Sequence, residues 1–150
     1  MIKDIATIVG VGVATFAFII SFLEYVKQGA QKRAEHFLTM RELLKGNESF
    51  KRICNLLDTN DEHLRKIPFD EKREFLGLFE EVAIAMNSGL IKPKVAHYMF
   101  GFYAIKCWES SNFWNEVNKD SIYWIVFKDF SQRMKVMEQS FRFKRRKFRF

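Results

Sequence analysis

The feature that most constrains this chain is the run Ile5–Leu23, IATIVGVGVATFAFIISFL, nineteen residues without a charge between Asp4 and Glu24. As a helix it extends roughly 28 Å, close to the ~30 Å hydrocarbon core of a bilayer. The run therefore predicts one membrane span. A cleaved signal peptide is a rival reading, but Lys3 is offset by Asp4 and no A-x-A-like site follows. A buried core helix is another, although such helices rarely stay uncharged for so long. Lys27, Lys32, Arg33 and Arg41 follow the run, whereas only Lys3 and the amino terminus precede it. Basic residues stay on the cytoplasmic side, which predicts an outside N-terminus and a cytoplasmic C-terminal domain.

Small residues inside the run are sorted. Thr7, Gly10, Ala14, Ala17 and Ser21 recur at alternating three- and four-residue steps, and with Ala6 they share one helix face. Gly12 and Thr15 fall outside it. Small faces let helix backbones approach closely, so this stripe predicts packing against another copy or another protein, or the lining of a lumen in a larger ring. The alternative is a monomeric anchor, since glycine is common in membrane helices in any case.

Three segments follow: an anchor over 1–24, a cytoplasmic helical domain over 25–140 and a basic-aromatic tail over 141–150. Tyr25 to Lys45 lacks proline and is rich in helix formers, so the first helix is expected to continue past the membrane to about 40 residues. Gly46-Asn47 reads as its stop. A second helix is expected over Glu48–Leu57, then a turn at Asp58–Asp61 and a short helical turn over 62–66. Asp70 reads as the N-cap of a third helix, with Phe75, Leu78, Phe79, Val82 and Met86 as its apolar stripe and Gly89 as a left-handed stop. Pro93 opens the next helix, and Val95–Trp108 reads as apolar nearly all round. The last helix, about Asp120 to Phe141, carries Tyr123, Phe127, Phe130, Met134, Met137 and Phe141 at a 3.5-residue repeat. The expected fold class is all-α: one N-terminal transmembrane helix continuing into a bundle of four or five helices.

Chemistry-bearing motifs are missing. There is no phosphate-cradling glycine loop, nucleophile elbow, H-E-x-x-H or CxxC pair. His36, His63 and His97 show no ligand spacing, so neither a metal nor a cofactor is expected, and the chain is not expected to be an enzyme. Arg33 and His36 lie three apart on one helix and form a possible polar pair, but some helical ribonucleases place four to six residues between their arginine and histidine, and this chain has no such spacing. Glu80 and Glu81 read as polar-edge residues of the third helix. Cys54 and Cys107 read as buried free thiols. The net charge of +7 is concentrated in Arg142, Lys144, Arg145, Arg146, Lys147 and Arg149. With four phenylalanines among them, these predict contact with anionic lipid headgroups; a protein, a nucleic acid or no partner at all are the alternatives.

RAEHFLTMRELLKGNESFKRI and FLGLFEEVAIAMNSGLIKPKVAHYMFGFYAIKCWES resemble a bacterial family of small single-pass helical membrane proteins of unknown function. The block carrying the resemblance is Phe79, Glu80, Glu81, Gly89, Leu90, Ile91, Phe100, Gly101, Tyr103, Trp108 and Glu109. The layout is also similar to the pore-forming membrane accessory proteins of type VI-B CRISPR systems, which are helical, assemble as rings and permeabilise the membrane. The resemblance implies a homo-oligomeric, pore-type or membrane-perturbing effector of antiviral defence in a bacterial inner membrane. The alternative is a membrane-tethered adaptor that docks a defence-system protein or RNA and conducts nothing.

Overall fold

The computed structural model describes residues 2–140, with the side chains of 15–29 and 31–140. Among them the fold is all-α, with no strand. The chain divides into two compact units, Met1–Glu35 and His36–Phe150. Helix α1 runs Ile2–Gly46 as one element, so the expected continuation past the apolar run holds for the backbone. Helices α2 (Glu48–Thr59), α3 (Phe69–Asn87), α4 (Pro93–Ala96), α5 (Phe102–Glu109) and α6 (Ile125–Ser140) follow.

The second unit is built around phenylalanine. Phe37 and Met40, from the last turns of α1, are buried there with Phe50, Ile53 and Leu57 of α2. Phe75 and Phe79 of α3 lie at the centre. Phe79 meets Phe75 at 5.1 Å, Phe127 at 5.7 Å and Phe100 at 6.5 Å between ring centroids. Phe100 in turn meets Phe37 edge-on at 5.7 Å. Edge-to-face pairs add about 0.5–1.5 kcal/mol each to the area they bury, which gives the abundant phenylalanine a structural use.

The turns follow local chemistry. Asn47 accepts the Ser49 and Phe50 amides and caps α2. At its other end Asn60 adopts the left-handed region (φ 52°), and the Asp61 and Asn60 amides return to the Leu56 and Leu57 carbonyls. Gly89 does the same for α3 at φ 72°, with Leu90 donating to Ala85. A 3₁₀ turn over Glu62–Lys66 is capped by Asp61.

Three expectations need correction. Asp70 is not the cap of α3. Pro68, extended at ψ 145°, takes that place without a side-chain hydrogen bond, and its carbonyl accepts the Lys72 amide. Asp70 sits in the first turn, where its charge still suits the helix dipole. The helix from Pro93, apolar nearly all round over Val95–Trp108, is not enclosed on every side, because Tyr98 and Phe102 are exposed. It is also not purely α: a π-turn, His97–Gly101, joins α4 to α5. The last helix begins later than Asp120. Ser121 caps a 3₁₀ turn, Ile122–Trp124, and α6 starts only at Ile125. Tyr123 is therefore rotated out of the stripe and stands 80% exposed, whereas Phe127, Phe130 and Met134 are fully buried. Phe141 lies outside the described residues.

Candidate functional site

In the first unit, the large apolar side chains from Phe16 to Val26 are exposed. Phe16, Phe18, Ile19, Ile20, Phe22 and Leu23 are followed by Tyr25 and Val26. At 100° per residue they cover the helix except for a sector of about 140°, which Ala17, Ser21 and Glu24 occupy; those three are exposed as well, so no face of this stretch is turned into a core. Ala17 and Ser21 of the small-residue stripe are exposed among them. The side chains of Ala6, Thr7, Gly10 and Ala14 lie outside the described residues. Among the described residues no helix is long and apolar enough to cross a membrane; the side chains of Ile5–Leu23 fall within them only from Thr15 onward.

Arg33 is half-buried and His36 is exposed, one turn further along α1. A methyl group on Gly29 would meet the Arg33 Nη1 at 3.3 Å, so the guanidinium reaches back along its own helix. The tail cations Arg142, Lys144, Arg145, Arg146, Lys147 and Arg149 lie outside the described residues.

Within the second unit a polar cluster ties the end of α2 to the segment after α5. The Ser110 hydroxyl donates to Asn60 Oδ1 at 2.6 Å, and Asn112 Nδ2 donates to the Asn60 carbonyl at 2.7 Å. Arg65 Nε donates to Asn112 Oδ1 at 2.8 Å, and the Phe113 amide donates to the Ser110 hydroxyl at 3.0 Å. Ser110 and Asn112 are both buried. The Ser110–Asn112 interruption read from the sequence is therefore a structural clamp, paired as buried polar groups must be.

Lys72 is 3% exposed, with Nζ 5.6 Å from the Phe113 ring centre. Burial pushes its ammonium below the ordinary lysine value, and the charge of Glu116 opposes that shift. Burial raises the half-buried Glu80 carboxyl, while the Phe127 backbone amide at the start of α6 holds it back. Glu81 is exposed. Both cysteines are buried free thiols. Burial and the nearby Asp58 push Cys54 up to about 12, and burial raises Cys107 well above its ordinary value. Neither is a thiolate nucleophile near neutral pH. Among the described residues no group of histidine, cysteine and carboxylate side chains could hold a metal ion.

One surface of this unit combines aromatic rings with cations. Lys94, Tyr98 and Phe102 are exposed along the helix that starts at Pro93, with Lys106 half-buried beyond them. Lys106 Nζ stands 5.7 Å from the Phe102 ring centre, and Phe102 meets Tyr103 edge-on at 5.1 Å. Tyr103 borders an open groove of about 310 Å³, which Lys45, Lys51, Cys54 and Met99 help to line. The four-residue spacing from Lys94 to Lys106 was readable in the sequence. It was masked by the apolar residues that alternate with it.

No protein-family model matches this chain, nor does any curated protein or any solved structure.

Proposed function

We propose that this chain is a homo-oligomeric single-pass membrane protein of the pore-type or membrane-perturbing class, with its helical unit in the cytoplasm. The observation that carries the reading is the stretch from Phe16 to Val26, whose large apolar side chains are exposed around all of α1 but the sector of Ala17, Ser21 and Glu24. Large contiguous apolar surfaces need lipid or a partner to cover them. The uncharged run Ile5–Leu23, which this stretch overlaps, has the length of a bilayer core. The small-residue stripe then supplies a face on which copies can meet. The setting in CRISPR-linked antiviral defence rests on the likeness of layout alone, which is an argument from architecture.

The test is the mass of the full chain in mild detergent, by light scattering, with leakage of dye-loaded liposomes as the second readout. An oligomer that leaks dye is expected, and Gly10→Leu or Ala14→Leu should abolish both properties. A monomer would overturn the reading, and so would leakage unchanged in both variants. The adaptor reading gains from the exposed Tyr98 and Phe102; an oligomer that never leaks would favour it.

A further inference from the structure

We propose that the face of the second unit formed by Lys94, Tyr98, Phe102 and Lys106 binds single-stranded nucleic acid, with bases stacking on Tyr98 and Phe102 and phosphates meeting the lysines. The inference does not depend on the membrane reading. It rests on the order of side chains along one helix face and on their exposure: Tyr98 is 58% and Phe102 51% exposed, well outside the core that the same helix builds with Phe100 and Ala104.

The π-turn aligns this face. In an α-helix a four-residue step overshoots a full turn by about 40°, so residues four apart drift around the axis. The i→i+5 bonding of His97–Gly101 widens the turn, and a four-residue step there falls short of a full turn instead. The drift from Lys94 to Tyr98 is taken back between Tyr98 and Phe102, which leaves the two rings on one strip. They stand one helical turn apart along the axis. Within the π-turn the imidazole of His97 lies close over Gly101, where a methyl would come within 3.0 Å of its Cδ2.

Charge selects the partner. Lys92 and Lys94 precede the rings and Lys106 follows them, and among the described ion pairs none engages these three lysines. An aromatic strip bracketed by cations outside the described ion pairs, one of them, Lys106, lying against the Phe102 ring, suits a ligand with flat faces and a phosphate at each step. It does not suit an apolar helix of a second copy, which would bury the lysines without compensation.

The experiment is fluorescence anisotropy of the full chain in neutral detergent with a labelled twelve-nucleotide single-stranded RNA, titrated at several salt concentrations. Y98S/F102S changes only exposed rings and should fold, as circular dichroism will verify; it should weaken binding by at least about tenfold. K94Q/K106Q should also weaken binding and flatten its salt dependence by one to two counterions. R145Q/R146Q/K147Q separates this face from the tail, and most of the ring-dependent binding should survive it. The proposal is overturned if the RNA does not bind at 50 µM protein, if Y98S/F102S binds as tightly as the unaltered chain, or if the tail variant alone removes all binding. It is also overturned if the ring variant instead loses affinity for vesicles rich in phosphatidylglycerol while RNA binding stays unchanged.

Discussion

Asn112 reaches across the second unit and donates through Nδ2 to the backbone carbonyl of Asn60, at 2.7 Å. Asn60 is the left-handed residue that ends α2, so one side chain holds a strained helix end against the segment that follows α5. Its other atom, Oδ1, accepts from Arg65 at 2.8 Å. Asn112→Ala takes that partner from the Asn60 carbonyl and the Arg65 guanidinium, both on exposed residues that water can reach, and should cost about 1–2 kcal/mol. Thermal unfolding followed by near-ultraviolet circular dichroism will show it. A loss below about 0.5 kcal/mol would mean that water replaces the amide.

Gly101 and His97 form a coupled pair. Alanine at Gly101 must push the imidazole aside, since its Cβ would lie 3.0 Å from Cδ2. Gly101→Ala should therefore destabilise the unit by about 1–2 kcal/mol, despite alanine's better helix propensity. In a His97→Ala background the same change should be neutral or stabilising. A double-mutant cycle measures the difference, and a coupling energy near zero would refute the packing account.

Lys72 gives the unit a pH dependence with a definite sign. Its folded value lies below the ordinary 10.5, so between the two values the unfolded chain binds a proton that the folded chain lacks. Stability from this group accordingly rises as pH climbs through that window, and the cost of burying the charge is fully present below it. Lys72→Met should stabilise the unit near neutral pH by about 1 kcal/mol, with the gain shrinking toward pH 10.5. Urea unfolding at pH 7 and pH 10 tests this, and equal gains at both would contradict it.

The two thiols should be inert in the folded chain. Cys54 stands at about 12 and Cys107 is fully enclosed, so both are protonated and screened at pH 8. Ellman's reagent should modify neither within an hour in the native state and both within minutes in urea. Rapid labelling of one thiol in the native state would show that its part of the core opens.

Much of the domain was legible because its signals are local. Asn47 and Gly89 act within a turn of where they stand, and the spacing of Phe75, Phe79 and Val82 reports one buried face. Tyr123 was misplaced for a physical reason. It continues the repeat of Phe127 and Phe130 only if the helix already exists there, and Ser121 instead caps a tighter turn. The π-turn was invisible because His97–Gly101 contains residues that any helix accepts. Its close fit of the His97 imidazole on Gly101 is a tertiary detail that no periodicity reports.

The sequence by itself determined an all-helical chain, an uncharged N-terminal run and the left-handed stop of α3 at Gly89, since each follows from composition, periodicity or a turn residue. Only the tertiary structure decided that Asn60, Arg65, Ser110 and Asn112 are one cluster, that Lys72 is buried beside Phe113 and that Tyr98 and Phe102 share an open face. Those relations join residues far apart in the chain, or depend on which side of a helix meets the core. Burial and desolvation set them, and neither can be summed along a sequence.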